Sequence, residues 1–288
     1  MTYSVITLSH NKLDCTRRCL STLITDSLCN DPWEMIVVDN GSSDGSKEWC
    51  DTELKALGKK HGIPVTVLHN ESNIGCSFAR NQAIAVATGR YLVFSDNDIS
   101  PRTHEWMPKM RELLDLNGKI GMVGPKMVYT WSPHPIQCAG VGISRRGHVC
   151  FNGRGESINA PDYNRLREVQ CLISACLMIP AALIEKHGGF DEAFHPVQFE
   201  DFDLCYRLRE AGYKALYTPE VEMYHFESVT TQGTPTVRNQ AVVIRNGLLF
   251  QKRWRHMFTK EDGPTEEACR WKDIPSVSFN DIPELPVY

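Results

Sequence analysis

The feature that most constrains the fold is an alternation of short apolar runs and helical patterns over the first hundred residues. The apolar runs are continuous, which is typical of strands buried on both faces of a parallel sheet. They occupy residues 3–8, 35–38, 65–68 and 91–95. Helical patterns lie between them, over Asp14–Ile24 with Asp14 as cap and over Ser77–Thr88 with Gly89 closing it. The chain therefore predicts an α/β fold with a mostly parallel central sheet flanked by helices.

Two of the predicted strands end in acidic residues. Asp39 follows the second strand and opens the turn-rich segment DNGSSDGS, and Asp96-Asn97-Asp98 follows the fourth. Ligands of open parallel sheets bind beyond the carboxyl ends of the strands, so both segments are expected at one sheet edge. Two carboxylates on a strand end suit Mg²⁺ or Mn²⁺. An isolated triplet of this kind more often only caps the next helix, so other residues must decide between helix capping and metal binding.

After about residue 120 the alternation weakens, and the second half predicts fewer elements. These are a strand over Val169–Ile179, a helix over Phe202–Ala211 stopped by Gly212, a strand over Lys214–Tyr217 and a long amphipathic helix over Thr236–Phe258. A proline-containing tail from Gly263 is expected to be extended. The pattern indicates an amino-terminal nucleotide-binding half and a carboxy-terminal half that completes the site.

Two features of the second half bear on the acidic triplet. Glu200-Asp201 opens a predicted helix whose apolar face leaves Asp201 free at the entrance, although charge capping explains the pair equally well. His225 lies between aromatic residues, where a histidine is more often structural. It is also a suitable partner for two aspartates around manganese.

Charge and hydropathy restrict the partners and the location. The formal charge of −4 over 288 residues gives no basic field for nucleic acid, although a local basic patch stays open. No stretch approaches the roughly 20 apolar residues that span a bilayer. The start, MTYSVITLSHNK, lacks the basic and apolar segments of a signal peptide. A cytoplasmic location is the default expectation, and docking at a membrane surface stays open.

The last predicted helix leaves that second option open. It carries five basic residues with two aromatic residues near its end: Arg238, Arg245, Lys252, Arg253 and Arg255, with Trp254 and Phe258. Such a helix can dock on anionic lipid or on a phosphate-bearing acceptor. A solvated basic face is the simpler interpretation.

The 11 cysteines are scattered and form no CxxC pair. Neither a zinc site nor a disulfide framework fits that spacing in a chain of this size. Cys76, Cys171 and Cys176 could be nucleophiles, but no histidine adjoins them in sequence. Reduced cysteines that pack as small hydrophobes are therefore predicted.

Taken in order, several segments resemble the family-2 glycosyltransferases with a GT-A fold, and are most similar to the rhamnosyltransferase-like branch. The resembling blocks are SVITLSHNKLDCTRRCLSTL, IVVDNGSSDGS, NESNIGCSFARNQAIAVATGRYLVFSDND, GGFDEAFHPVQFEDFDLCYRLREAGYKALYTPEVEMYHF and RNGLLFQKRW. They run from about Tyr3 to Trp254. The resemblance implies a Rossmann-like sheet divided into a nucleotide-sugar-binding half (1–118), an acceptor-binding and catalytic half (119–258) and an extended tail (259–288).

The resemblance also implies roles for individual residues. Asp98 would ligate the metal, Asp96 would approach both ribose and metal, and His225 would complete the metal shell. Asp201 would be the catalytic base. The nucleotide-sugar site would comprise Ser9, Asn11, Asp39, Asn73, Arg80, Asp96 and Asn97, with Asn97 mainly a spacer. Where many members carry a proline and a tyrosine after the first strand, this chain has LSHN.

The function implied is a metal-dependent, inverting hexosyltransferase that moves a sugar from a nucleotide-diphosphate donor to an acceptor hydroxyl. Asp39 favours UDP or dTDP over GDP. The acceptor can be a glycan, a lipid-linked saccharide or another hydroxyl compound, and Thr130–Arg167 is expected to supply acceptor contacts or a lid. The alternatives are a nucleotidyltransferase that forms nucleotide sugars, and a non-catalytic protein that binds sugar nucleotides or glycans. LSHNKLD lacks the glycine-rich basic loop expected of the former.

Overall fold

The computed structural model describes residues 1–227, 240–275 and 277–288. Twelve strands are present in this part of the chain: β1 Tyr3–Ser9, β2 Trp33–Asn40, β3 Val65–Asn70, β4 Tyr91–Asp96, β5 Ile99–Pro101, β6 Ile120–Tyr129, β7 Ile136–Cys138, β8 Val141–Ile143, β9 Val149–Phe151, β10 Arg167–Val169, β11 Cys176–Pro180 and β12 Lys214–His225. Eight α-helices accompany them: α1 Leu13–Thr25, α2 Ser46–Trp49, α3 Lys55–Lys60, α4 Cys76–Val86, α5 Trp106–Asp115, α6 Ala181–His187, α7 Glu200–Glu210 and α8 Gln240–Phe258.

The amino-terminal strands form the predicted parallel sheet, in the order β4-β1-β2-β3. β2 is buried along its whole length, and β1 and β4 nearly so, as their continuous apolar runs require. Ser9 pairs with Asp39 across β1 and β2, and Leu8 pairs with Asp96 across β1 and β4. The prediction that Asp39 and Asp96 share one sheet edge is therefore confirmed.

The same sheet continues through the second half of the chain, so the two predicted halves share one core. β11 lies between β4 and β6 and is antiparallel to both, and β12 runs parallel to β6. The single strand predicted over Val169–Ile179 was wrong. β10 and β11 occupy its two ends, because the turn at Ser174–Ala175 interrupts the apolar run.

The helices show three further differences from the sequence prediction. Asp14 lies in the first turn of α1 but does not cap it; the backbone N–H of Leu13 donates instead to Asp44 at 2.8 Å. α4 ends at Val86, so Gly89 does not close it. Gly89 instead lies against the backbone of Ser4, where a Cβ atom would clash. Residues 46–60 form a helical stretch with a π-helical turn at Cys50–Leu54, which the turn-rich sequence before it obscured.

The long carboxy-terminal helix was predicted over Thr236–Phe258, and the described part is α8 from Gln240. Arg238 and the predicted first turn lie outside the described residues. Trp254 and Phe258 are buried, with the Trp254 indole N–H donating to Asp203 at 2.9 Å, so these two rings are not available for the membrane docking that stayed open beside a solvated basic face. None of the helices in the described part of the chain combines the length and the apolar composition that a membrane span requires.

The tail after residue 258 has little regular structure but packs closely on the body. A Cβ on Gly263 would lie 2.1 Å from the Ile143 carbonyl oxygen, and Arg18 donates to the Ile282 carbonyl at 3.0 Å. All eleven cysteines are in the described part of the chain and are free thiols, eight of them buried, as predicted.

Candidate functional site

A cavity of about 570 Å³ opens at the carboxyl edge of the parallel strands. Its walls come from the ends of β1 and β4, the start of α4, the turn before β11, the start of α7, the end of β12, and the tail. The cavity thus lies where the topology of an open α/β sheet places ligands. Eight predicted site residues line it: Ser9, Asn73, Arg80, Asp96, Asn97, Asp98, Asp201 and His225.

Asp96, Asp98 and His225 form a cluster in this cavity with one ligand atom from each within 4.8 Å of the others. Asp96 is the last residue of β4, and Asp98 lies in the turn between β4 and β5. His225 is the last residue of β12 and lies close to both because β12 pairs with β5 just after this turn. Two carboxylates and one imidazole suit Mn²⁺ or Mg²⁺ better than a softer ion. The fold therefore brings the predicted ligands together, although Asp96 and His225 are 129 positions apart in sequence.

The hydrogen bonds of His225 determine which nitrogen faces the cluster. Nδ1 is 3.1 Å from the side-chain oxygen of Gln137, which can only accept, so Nδ1 carries the proton. Nε2 then points to the Asp98 carboxylate at 3.3 Å. A lone pair facing a carboxylate requires a proton or a cation between them. Burial alone would lower the pKa of His225, but Asp98 and Asp96 outweigh it and raise that pKa.

Gln137 is held in turn by Glu227. Its amide donates to Glu227 at 3.0 Å, which fixes the orientation of the amide. Arg154 binds the same carboxylate through both terminal nitrogens, at 2.7 and 3.0 Å, and Tyr129 donates to it at 2.9 Å. These contacts form an outer layer around the cluster, of the kind that orients metal-binding histidines.

Arg80 links the acidic cluster to α7. Its guanidinium binds Asp96 at 3.0 Å and Glu200 at 2.9 Å, and it packs over the Phe190 ring. Arg80 and Glu200 are both buried, and burial raises the pKa of Glu200 although Arg80 opposes it. Burial and Asp98 likewise raise the pKa of Asp96 against the effect of Arg80. Removing positive charge here would leave adjacent carboxylates unpaired.

Asp201 lies in the first turn of α7 and opens onto the same cavity. One carboxylate oxygen accepts the backbone N–H of Ser174 at 3.1 Å, and the other accepts that of Phe202 at 2.9 Å. Burial and the neighbouring Glu200 raise the pKa of Asp201 to about 7. A carboxyl group with such a pKa is suited to accept a proton near neutral pH.

The structure divides the residues predicted for the nucleoside end, since only Ser9 and Asn73 line the cavity. Asn73 accepts from the Asn40 amide at 2.9 Å. Asp39 is buried, with one carboxylate oxygen 3.6 Å from Nδ1 of His69, and it does not line the cavity. Asn11 accepts from the Ser43 N–H at 2.8 Å and does not line it either. The roles assigned to these residues stay predictions.

Sequence reasoning missed several residues of the cavity wall. Gln137 and Glu227 support His225, and Phe151 and Trp271 supply aromatic surface. Gln137 carries no motif and precedes His225 by 88 residues, so only the fold reveals its role. Glu227 lies two positions after His225, and this proximity in sequence could have identified it. Gln137 and Phe151 belong to the Thr130–Arg167 segment, which was expected to supply acceptor contacts.

Comparisons with known proteins agree with this architecture. The chain is 29% identical to the uncharacterized protein y4gI of Sinorhizobium fredii over 88% of this chain and 27% of the relative. It is 29% identical to a pre-mycofactocin glycosyltransferase of Mycobacterium tuberculosis over 66% of this chain and 37% of the relative. Glycosyltransferase AglE of Haloferax volcanii is 28% identical to this chain, over 76% of this chain and 64% of the relative. The chain spans less than two thirds of the length of each of these curated relatives.

Solved structures show the same fold at low identity. GalNAc-T7 with UDP, GalNAc and Mn²⁺ superposes with a TM-score of 0.65 at 17% identity, over 78% of this chain and 44% of that one. The mannosyltransferase PcManGT of Pyrobaculum calidifontis, with GDP-Man and Mn²⁺, superposes with a TM-score of 0.57 at 15% identity, over 92% of this chain and 76% of that one. The fold is therefore GT-A. Residues 4–148, which are 145 of 288 (148 − 4 + 1), match glycosyl transferase family 2, and the chain belongs to that family.

Proposed function

We propose that this protein is an inverting glycosyltransferase that transfers a sugar from a nucleotide-diphosphate donor to an acceptor hydroxyl, with Asp201 as general base. One observation carries the proposal: an Asp-Asp-His cluster and a carboxylate of raised pKa line the same cavity at the carboxyl edge of a GT-A sheet. Membership of glycosyl transferase family 2 supports it. UDP or dTDP donors, and the rhamnosyltransferase-like branch, belong to this proposal.

Asp96, Asp98 and His225 would hold the divalent ion, Mn²⁺ or Mg²⁺. When bound, such an ion neutralises the charge that develops on a leaving diphosphate. The Gln137–His225 hydrogen bond keeps Nε2 available to the cluster. Arg80 holds Asp96 and supplies a fixed positive charge beside it. Preorganised charges of this kind contribute most in a site from which water is excluded.

Asp201 would take the proton from the acceptor hydroxyl as that oxygen attacks the anomeric carbon. The hydrogen bond from Ser174 orients the carboxylate, and burial together with the neighbouring Glu200 keeps the pKa of Asp201 raised. A single displacement by a hydroxyl inverts the anomeric centre. The proton moves to one Asp201 oxygen, and the nucleoside diphosphate leaves with the electron pair of the broken C–O bond.

A thermal-shift screen tests the donor. UDP-, dTDP- and GDP-sugars, including dTDP-rhamnose, are each added with and without Mn²⁺. A ligand at about 100 times its Kd raises the free energy of unfolding by about 2.7 kcal/mol. Stabilisation that requires both a nucleotide sugar and the metal is expected. No stabilisation by any donor with either Mn²⁺ or Mg²⁺ would refute the proposal.

Product analysis separates the proposal from its alternatives. A glycosyltransferase releases nucleoside diphosphate, by transfer or by slow hydrolysis of the donor. A nucleotidyltransferase releases pyrophosphate from a nucleoside triphosphate and a sugar phosphate, and a binding protein releases neither. For the inverting course, NMR identifies the first anomer formed when the donor is hydrolysed. Retention of configuration would contradict the single displacement.

A further inference from the structure

The tail places an exposed tryptophan at the mouth of the cavity. Trp271 is 58% exposed, yet it lines the same cavity as Asp201. The Phe151 ring packs edge-on against it, with centroids 5.7 Å apart and an interplanar angle of 87°. The indole is therefore open to solvent and to the cavity at the same time.

The position of Trp271 is fixed by its neighbours. The Arg154 guanidinium lies over one face of the indole, 3.9 Å from the ring centroid. Arg154 is itself buried and held by Glu227, and its Nε donates to the Lys272 carbonyl at 3.1 Å. The indole is thus tied to the layer of side chains behind His225, because Glu227 also binds Gln137.

Packing of the tail supports the same placement. A Cβ on Gly142 would lie 2.9 Å from Pro264, and one on Gly155 would lie 2.7 Å from Ile274. Cys150 donates to the Ala268 carbonyl at 3.2 Å. Contacts before and after Trp271 therefore anchor the segment to β8, β9 and the loop that follows them. An aromatic ring held in this way loses little conformational entropy when a ligand packs on it.

The two walls of the cavity differ in chemistry. The ends of β1 and β2 and the loop after β3 contribute the polar side chains Ser9, Asn40 and Asn73, beside Leu8. The aromatic surface comes from β9 and the tail, with Phe202 of α7 as a further aromatic lining residue. A nucleoside diphosphate needs polar and metal contacts, which the polar side chains and the acidic cluster supply. An acceptor sugar ring presents an apolar face of C–H groups, which suits the aromatic surface.

We propose that Trp271, with Phe151 beside it, is the platform on which a sugar ring of the acceptor stacks. The inference rests on the proposed function and narrows the acceptor to a saccharide or a saccharide-bearing molecule. Trp271 positions this ring and takes no part in proton transfer. Its removal therefore affects acceptor binding and leaves donor binding intact.

The test compares Trp271→Ala, Trp271→Phe and Leu116→Ala. Leu116 is a matched control because it is 65% exposed and does not line the cavity. Each protein is saturated with UDP and Mg²⁺ and mixed with methyl glycosides of glucose, galactose, mannose and rhamnose. Saturation-transfer-difference NMR then reports which ring C–H protons contact the protein. UDP binding is measured separately by calorimetry.

The signal from the ring C–H protons is expected in wild type and in Leu116→Ala, weaker in Trp271→Phe and absent in Trp271→Ala. Where a probe also serves as acceptor, its KM should rise about tenfold in Trp271→Ala, with kcat nearly unchanged. An undiminished signal in Trp271→Ala, weakened UDP binding in that variant, or UDP binding without signal from any glycoside would each overturn the inference alone. If wild type does not bind UDP, dTDP replaces it as the saturating nucleotide; absence of binding of UDP, dTDP and GDP with either Mg²⁺ or Mn²⁺ would overturn the proposed function and the inference together.

Discussion

At the scale of single residues, Asp201 and His225 are set for different tasks by their surroundings. Asp201 is in contact with hydrogen-bond donors, but burial and Glu200 still raise its pKa to about 7. His225 is oriented by a neutral amide and faces two carboxylates. One group is therefore suited to accept a proton and the other to complete a cation site.

Asp201→Asn is expected to lower the rate of sugar transfer by at least about a hundredfold, because the amide cannot accept the proton. Donor-dependent thermal stabilisation should be retained, since Asp201 is not part of the cation cluster. The transfer rate and the thermal shift are measured on the same preparation. Asp262→Asn, an exposed position outside the cavity, is the control. Full transfer activity in Asp201→Asn would remove Asp201 from the base role.

The pH dependence of kcat/KM follows from the same carboxylate. Because the ionised form is the active one, kcat/KM should fall as pH drops below about 7 and reach a plateau above it. The raised pKa also means that folding is opposed by the ionised group above about pH 7 and that this cost disappears as pH falls. Asp201→Asn should therefore be at least as stable as wild type at pH 8. An acid limb near pH 4 would contradict this assignment.

Asp98→Asn tests the cation cluster. Replacing the carboxylate that faces His225 Nε2 should weaken Mn²⁺-dependent donor binding at least about tenfold. Isothermal titration of UDP with and without Mn²⁺ measures the change. Metal-independent affinity should be unaltered. An Asp98→Asn protein whose Mn²⁺ dependence equals that of wild type would exclude the cluster as the metal site.

At the scale of elements, the capping of α1 shows what a linear pattern misses. Asp44, in the loop after β2, accepts from the backbone N–H of Leu13 and from that of Ser46. It therefore caps α1 and α2 together. The sequence suggested Asp14, which is next to the helix start in the chain but is not placed to accept from it. A cap from a distant loop depends on the tertiary fold and leaves no local signal.

Asp44→Ala should lower the free energy of unfolding by about 1–2 kcal/mol, since it removes the acceptor for two helix starts. Urea denaturation at pH 7 measures the loss. Asp44→Asn should recover only part of that loss, because Asp44 uses both carboxylate oxygens, Oδ2 for Leu13 and Oδ1 for Ser46, and asparagine keeps one acceptor oxygen. Equal stability of Asp44→Ala and wild type would show that the cap contributes nothing.

Acid should weaken the Asp44 contribution. Burial alone would raise the pKa of Asp44, but hydrogen bonds from Ser46 and Leu13 lower it below the ordinary value. Stabilisation by this group is therefore present above the ordinary aspartate pKa and is lost as pH falls below it. Asp44→Asn should lack this dependence in the same urea titrations.

At the scale of the whole molecule, the first half was predictable and the second largely was not. Strands β1, β2 and β4 carry continuous apolar runs, so burial on both faces shows in the sequence, whereas β3, at the end of the sheet, is only partly buried. β5 and β7 to β10 are only three residues long, too short for a period to appear. The acidic triplet was visible because its members are adjacent. The contacts through which Gln137 and Glu227 orient His225 could not be predicted, because the fold brings these residues together from separate strands and loops.

Arg80 joins the two halves through a buried ion pair with Glu200. Arg80→Met should lower the free energy of unfolding by about 3–5 kcal/mol, because Glu200 is left buried without a partner. The double variant Arg80→Met with Glu200→Gln should recover part of that loss, since the uncompensated charge is gone. Chemical denaturation of both variants gives the comparison. A double variant no more stable than Arg80→Met would show that the cost is steric.

The position of β11 has a consequence for how this chain is made. Tyr91 of β4 pairs with Pro180, and Ser95 pairs with Cys176, so one edge of β4 has no partner until β11 has left the ribosome. Until then the nascent chain carries an open apolar strand, the kind of edge that pairs with other chains. Chaperone binding during synthesis is expected to concentrate there. Refolding of the whole chain should be slow, because closing this pair requires a long loop to form first.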